Sequence, residues 1–370
     1  VKRTVILTGP PRSAGGGVLA FCDNMERAYT RLGAKVQRMW VGTGRGDTND
    51  ATETAHGVKG LLSSLPQIIK LPNNNTVLHI NTSFTQKAMV RDAFVYLMAR
   101  LKGSRVVVEY HGGLPQDLSD GLSRMALRIL SNADAGVVIN QGMKRGLLAL
   151  FPHMSGKLHL ISNAIDLPKY DLEAVIAARY ANPRLLYLSR IVVEKGLLDS
   201  IRALGLLRRQ GVALPLDVAG DGPAMNEAQR IVQEEGLESQ VIFHGRVSGE
   251  VKDKLFCEAA IFLLPTYYME GQPISLIEAL AWGIPSVVSK LEPVCSMVQD
   301  GVQAVHVPVK TPQAIADAIR KILADAQAYA RMARSDRALT EQDHELDRAA
   351  RRFLELYEGS GSERTVQANA

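Results

Sequence analysis

The chain has 370 residues, 46% of them hydrophobic and 22% charged, enough for two hydrophobic cores and too many for one of ordinary size. Its net charge of +5 is uneven: residues 1–165 carry 20 Lys and Arg against 10 Asp and Glu, and residues 166–370 carry 23 against 28. Its apolar runs fall far short of the ~20 residues of a membrane span, its basic residues are dispersed and accompany no nucleic-acid-binding motif, and Cys22, Cys257 and Cys295 form neither a CxxC pair nor an even framework. A reduced, cytoplasmic setting without structural zinc is expected. Two readings of the basic half stand together: it meets an anionic surface, such as a membrane leaflet or a phosphate-bearing acceptor, or it solvates helix faces.

Short β-branched runs alternate with amphipathic stretches, which predicts α/β architecture with parallel sheets. The chain opens on a strand at 4–8 rather than on a secretory signal. Gly9-Pro10-Pro11-Arg12-Ser13-Ala14-Gly15-Gly16-Gly17 follows, ahead of a helix at 19–32. Glycines before a helix N-terminus let backbone N–H groups approach an anion, although this spacing is neither a dinucleotide fingerprint nor a P-loop and also suits a plain turn. Strands are expected at 35–40, 76–80, 105–110, 135–139 and 157–161, with a helix at 86–101. His111-Gly112-Gly113 closes the strand at 105–110, where an α/β domain displays ligand-contacting groups.

A linker is expected near 163–183, and a second series of strands follows at 184–189, 214–219, 240–244, 261–265, 285–289 and 304–307. Helices at 197–210, 225–235, 248–259, 275–281 and 311–324 separate these strands. After the first strand of the series come Arg190 and Lys195 in a short loop, a fork and a compact cation suited to a diphosphate or merely solvated. After the strand at 261–265 comes Glu270-Gly271-Gln272-Pro273-Ile274-Ser275-Leu276-Ile277-Glu278-Ala279, a loop carboxylate and then a helix opening near Ser275. Glu278 would sit on that helix's first turn, favoured by the dipole and able to accept from vicinal hydroxyls. A last helix is expected near 340–357, then a disordered Gly/Ser-rich tail at 359–370.

Four pieces of the second half, Ser189-Arg190…Glu194-Lys195-Gly196, Ala219-Gly220-Asp221-Gly222-Pro223, Phe243-His244-Gly245-Arg246-Val247 and Glu270 to Glu278, keep the order and approximate spacing of a known family. The chain resembles the retaining family 4 glycosyltransferases of the GT-B fold, in particular those that build bacterial surface polysaccharides. The first half fits through Gly16-Gly17, His79, His111-Gly112 and Ser162-Asn163-Ala164-Ile165-Asp166. The resemblance implies two doubly wound Rossmann-like domains facing across a cleft. Residues 1–165 would form the acceptor-side domain and 166–340 the nucleotide-sugar domain, with a helix at 341–358 for which a return to the first domain is one open course.

The same resemblance implies roles. Arg190 and Lys195 would neutralise the donor diphosphate, Glu278 would hold the ribose, and Glu270 with Gly271, Gln272, Pro273 and Ile274 would contact the sugar and distal phosphate. Gly16 and Gly17 would border the diphosphate, Arg246 and Val247 would line the base pocket, and His111 would lie by the sugar. Catalytic roles thus fall on His111, Glu270, Arg190 and Lys195. The co-substrate would be a UDP- or GDP-sugar, with no metal and no other cofactor, since the sequence has no Asp-x-Asp and the cation pair can replace a metal's charge. Partners would be the donor, a glycan or lipid-linked acceptor, and an anionic membrane touched peripherally by the basic domain. After the strand at 285–289 the family's glycines are absent and Ser296 stands where its acid is expected. A sugar-nucleotide epimerase of the same build and a non-catalytic partner subunit are the alternatives; a pyridoxal-dependent phosphorylase would be much longer.

Overall fold

The computed structural model describes residues 3–11, 17–41, 66, 76–114, 120–268 and 271–359. The chain divides into two compact units, Val1–Asp166 with Glu345–Ala370, and Leu167–His344.

In the first unit β1 (Thr4–Gly9), β2 (Val36–Trp40), β3 (Thr76–Ser83), β4 (Arg105–His111), β5 (Ala135–Val138) and β6 (Leu158–Leu160) form a parallel sheet in the order β2-β1-β3-β4-β5-β6. Parallel sheets are covered on both faces and read as unbroken apolar runs; β4 is buried from Val106 through His111. Helices Gln86–Leu101, Gly121–Leu130 and Gln141–Leu150 begin at Thr85, Asp120 and Asn140, whose side chains accept from backbone N–H groups of the first turn. Helix Leu346–Glu358 packs on helix Gly17–Arg31, and the hydroxyls of Tyr357 and Tyr29 meet at 2.7 Å in that contact.

In the second unit β7 (Leu185–Leu188), β8 (Leu216–Ala219), β9 (Val241–Gly245), β10 (Ile261–Leu264), β11 (Ser286–Ser289) and β12 (Ala304–Val307) form a parallel sheet in the order β12-β11-β10-β7-β8-β9. A core of Leu, Ile, Val and Ala joins the sheet to its helices, with Leu185, Leu204, Ile261 and Ile319 fully buried.

The stretch expected to be a linker contains helix Leu172–Ala181, capped by Asp171, whose carboxylate accepts from the N–H groups of Glu173 and Ala174. Pro168 and Pro183 bracket this helix rather than mark open chain. Its Arg179 is 2% exposed and donates to the carbonyls of Phe256, Cys257 and Trp282. These carbonyls close helices Gly249–Glu258 and Ile274–Ala281, where a cation opposes the negative dipole end. The single helix expected at 340–357 is two, Ala326–Asp343 and Leu346–Glu358, broken at His344.

Candidate functional site

In the second unit the chain leaves β7 towards β8 and β9, then returns to the other side of β7 with β10. The strand order therefore reverses between β7 and β10, and the crevice at their carboxyl ends is where such sheets take ligands. Two loops meet there. The one after β7 carries Arg190, a 3-10 turn Val193–Lys195 and Gly196 at φ 80°. The one after β10 carries Thr266, Tyr267 and Tyr268. A single carbonyl joins them: Glu194 O accepts from Thr266 Oγ1 at 3.1 Å, Tyr267 N at 2.7 Å and Tyr268 N at 3.1 Å.

This joint brings Tyr268 under both cations. Lys195 Nζ lies 4.9 Å and Arg190 Cζ 5.9 Å from its ring centroid, contacts worth ~0.5–1 kcal/mol each at an exposed site. Tyr267 carries another cation, Lys310 Nζ, at 4.6 Å. The chain beside Arg190 is also pinned from β8. Ile191 N donates to Asp221 O at 2.9 Å and Ala224 N to Ile191 O at 3.1 Å. A Cβ on Gly220 would sit 1.9 Å from Ser189 O, and one on Gly222 2.2 Å from Ile191 O. Only glycine permits so close a passage. Arg190 and Lys195 are thus presented together on the loop after β7, over Tyr268 of the loop after β10, and the two loops define each other's course.

The other expected residues of this unit occupy the same sheet edge. Arg246 and Val247 follow β9, and Arg246 Nε lies 3.8 Å from Asp221 Oδ2 with both side chains largely exposed. His244 of the same motif is bound to Asp217 at 2.8 Å, which also takes the Arg184 fork, so it ties β9 to β8. Gly271, Gln272 and Pro273 are buried. Pro273 precedes helix Ile274–Ala281 and provides no side-chain cap, so the leading N–H groups of the helix have no such acceptor. Glu278 is the fifth residue of that helix, beyond its first turn, which corrects the expected position. Its charge is balanced instead by Lys252 Nζ at 2.6 Å, from helix Gly249–Glu258. Glu270 lies outside the described residues.

In the first unit Gly17 opens helix Gly17–Arg31, while Gly16 lies outside the described residues. His111 ends β4, beside the point where the order reverses between β1 and β3. Its Nε2 is 2.8 Å from Asn81 Oδ1. His79 Nε2 is 3.0 Å from Glu109 Oε2. Burial lowers both imidazoles to about 3, so both rings are neutral at neutral pH, and it raises the Glu109 carboxyl well above its ordinary range. Among the described residues no three His, Cys, Asp or Glu side chains stand together as metal ligands.

Tyr268, Lys252 and Asn81 were not singled out from the sequence. Tyr268 carried a faint signal, an aromatic residue just past a buried strand; the other two become visible only when distant elements are brought together.

Residues 172–338 match the family described as glycosyl transferases group 1. The chain is 26% identical over 287 residues to an alpha-D-kanosaminyltransferase of Streptomyces kanamyceticus, covering 72% of this chain and 74% of that protein. It is 28% identical over 249 residues to a GDP-mannose-dependent alpha-(1-6)-phosphatidylinositol monomannoside mannosyltransferase of Mycolicibacterium smegmatis, covering 64% and 65%. Among solved structures, the HepE protein of Anabaena in complex with UDP matches 96% of this chain and 100% of its own, with a TM-score of 0.73 and 19% identity. A sucrose-phosphate synthase from Thermosynechococcus elongatus matches 96% and 98%, with a TM-score of 0.75 and 20% identity. The structural likenesses establish a GT-B fold of two Rossmann-like α/β units.

Proposed function

We propose that this chain, whose residues 172–338 match the family of glycosyl transferases group 1, transfers a sugar from a nucleoside diphosphate sugar to a glycan or lipid-linked acceptor with retention of anomeric configuration. The observation that carries the reading is the pairing of Arg190 and Lys195 over Tyr268 at the switch point. Two cations held before the substrate arrives stabilise a diphosphate, and more so the charge that grows on it as the glycosidic bond breaks. The bond from the anomeric carbon to the distal phosphate breaks and a bond to the acceptor oxygen forms on the same face. The acceptor proton passes to the departing phosphate oxygen, so the reaction needs no separate carboxylate base. The cation pair takes the place of a metal's charge. Glu278, steadied by Lys252, accepts from the ribose hydroxyls, the leading N–H groups of helix Ile274–Ala281 face the distal phosphate and sugar, and His111 hydrogen-bonds the sugar. Glu270 is assigned an orienting role, and Arg246 with Val247 the base.

The UDP named with HepE and the GDP-mannose named for the mannosyltransferase make UDP- and GDP-sugars the first donors to try. Calorimetry with UDP-, GDP-, TDP- and ADP-sugars, without added metal, should find one that binds. Lys195→Ala and Glu278→Ala should each weaken it ~10-fold or more, the worth of a charged hydrogen bond. Unchanged affinity and turnover in both variants would overturn the site. An isomerised sugar formed from donor and water alone would favour the epimerase.

A second reading concerns location. Leu97 (45% exposed), Leu101 (81%), Leu122 (45%) and Met125 (56%) project from two helices of the basic unit that pack on each other. They support peripheral contact with an anionic membrane that carries the acceptor.

A further inference from the structure

The orientation of His111 is set by a chain of hydrogen bonds whose polarity can be read without seeing a hydrogen. Asn81 on β3 is buried, and its backbone N donates to Thr8 Oγ1 at 3.0 Å while its Nδ2 donates to Thr8 O at 2.7 Å. A backbone carbonyl only accepts, so the amide atom facing Thr8 O must be the nitrogen. The other amide atom, Oδ1, therefore faces His111 Nε2 at 2.8 Å. An amide oxygen also only accepts, so Nε2 carries the hydrogen. His111 is 5% exposed, and its Nδ1 has no hydrogen-bond partner among the described residues.

We propose that Asn81 is a positioning residue that holds His111 as the neutral Nε2–H tautomer and so turns its Nδ1 lone pair into the acceptor for a donor-sugar hydroxyl. This rests on the reading of His111 as the sugar-contacting residue. The surroundings favour the neutral ring. On its own strand Glu109 Oε1 lies 3.7 Å from Nε2, and burial raises that carboxyl well above its ordinary range, against its charged form. On β3, His79 is neutral for the same reason. From helix Gly17–Arg31 the Phe21 ring stands 5.1 Å away, and burial pushes the Cys22 thiol up to about 12. Behind His79, the hydroxyls of Tyr357 and Tyr29 are raised by burial and remain un-ionised. Arg38, whose charge acts on Cys22, is held by Asp23 at 2.9 Å and Glu26 at 3.3 Å. Among the described residues burial is what moves the ring, and it moves it towards the neutral form.

The consequence is chemical. An imidazolium would only donate, and its charge would oppose the positive character that builds on the sugar. The clamped neutral ring accepts instead.

The test uses the full chain labelled with 15N-histidine, the His111 signals being assigned by their loss in His111→Gln. Long-range proton–nitrogen correlation should show Nε2 protonated and Nδ1 bare, unchanged from about pH 5.5 to 8.5, far above the lowered pKa. Asn81→Asp places a carboxylate against Nε2 and should protonate both nitrogens at neutral pH. Turnover should then fall ~10-fold, about one hydrogen bond's worth, with donor KM changed less. It should recover as rising pH removes the Nδ1 proton, because the carboxylate still accepts from Nε2; a mere packing defect would give no such recovery. A wild-type ring protonated on Nδ1, or titrating near the ordinary histidine value, overturns the clamp, and that measurement needs no variant to fold. A correct wild-type tautomer with undiminished turnover in Asn81→Asp at every pH overturns the catalytic bearing of the clamp and the sugar-contacting role of His111 together.

Discussion

Glu109 shows how one residue can make stability depend on pH. It is fully buried, and burial holds its carboxyl well above the ordinary 4.5. The native state therefore keeps a proton that the unfolded chain releases above about 4.5. Its contribution is intact below that pH and is lost as pH rises, at about 1.4 kcal/mol per pH unit, until the native pKa is reached. Glu109→Gln keeps the shape and a neutral donor–acceptor pair but cannot ionise. The variant should match the wild type near pH 4.5 and become progressively more stable than it as the pH rises towards the native pKa. Urea unfolding in a Trp282→Phe background, where Trp40 is the remaining tryptophan and lies in the first unit, isolates the relevant transition. A difference independent of pH would mean that Glu109 is ionised in the native state. His79 and His111 act with the opposite sign. Lowered from 6.5 to about 3, they are neutral when folded and gain protons below 6.5 when unfolded, so their contribution is present above that pH and lost as pH falls.

At the scale of elements, the loops matter more than the strands they follow. Gly220 has a φ of 142°, and its missing Cβ leaves room for Ser189 O, which keeps the chain around Arg190 in place. Gly220→Ala should cost ~2–3 kcal/mol, since backbone rather than a flexible side chain must give way. Gly211→Ala is the control: φ is 80° but nothing lies within 4 Å, so it should cost only the ~1 kcal/mol of left-handed strain. Donor affinity should fall for Gly220→Ala alone. Equal melting temperatures and equal donor affinities in the two variants would show that the close passage does not shape the site. The strands were legible because buried parallel strands are apolar end to end, as Ile261–Leu264 is. Helix Leu172–Ala181 was not, because its flanking prolines resemble a linker and its role depends on Arg179 meeting carbonyls some 80 to 100 residues away. Arg190, Lys195 and His111 stood out because each follows or ends a strand in a local pattern, and Glu278 because it lies in the string that runs from the loop after β10 into the next helix. Lys252 and Asn81 have no such pattern; each meets its partner only after the sheet orders are formed.

At the scale of the molecule, charge and exposed apolar surface coincide. The excess of Lys and Arg over residues 1–165 accompanies Leu97, Leu101, Leu122 and Met125 on helices Gln86–Leu101 and Gly121–Leu130, where Lys87, Arg100, Arg124 and Arg128 are also exposed. Among the described residues no helix is long and apolar enough to cross a membrane, so the contact would be interfacial. Each cation near an anionic leaflet is worth ~1 kcal/mol, and burying a leucine ~1.5–3 kcal/mol. Neither alone gives stable attachment, but a few of each would. Co-sedimentation with vesicles containing anionic lipid should therefore exceed that with neutral vesicles and weaken with salt, as the Debye length shrinks. Leu101→Glu with Met125→Glu should lower it ~10-fold or more, since two apolar anchors are lost and two repelling charges gained. The same variant should bind the soluble donor as the wild type does, because neither residue belongs to the donor site. Equal binding to neutral vesicles would remove the electrostatic half of this reading, and wild-type binding by the double variant would remove the apolar half. The first result would leave the basic residues as solvation of helix faces.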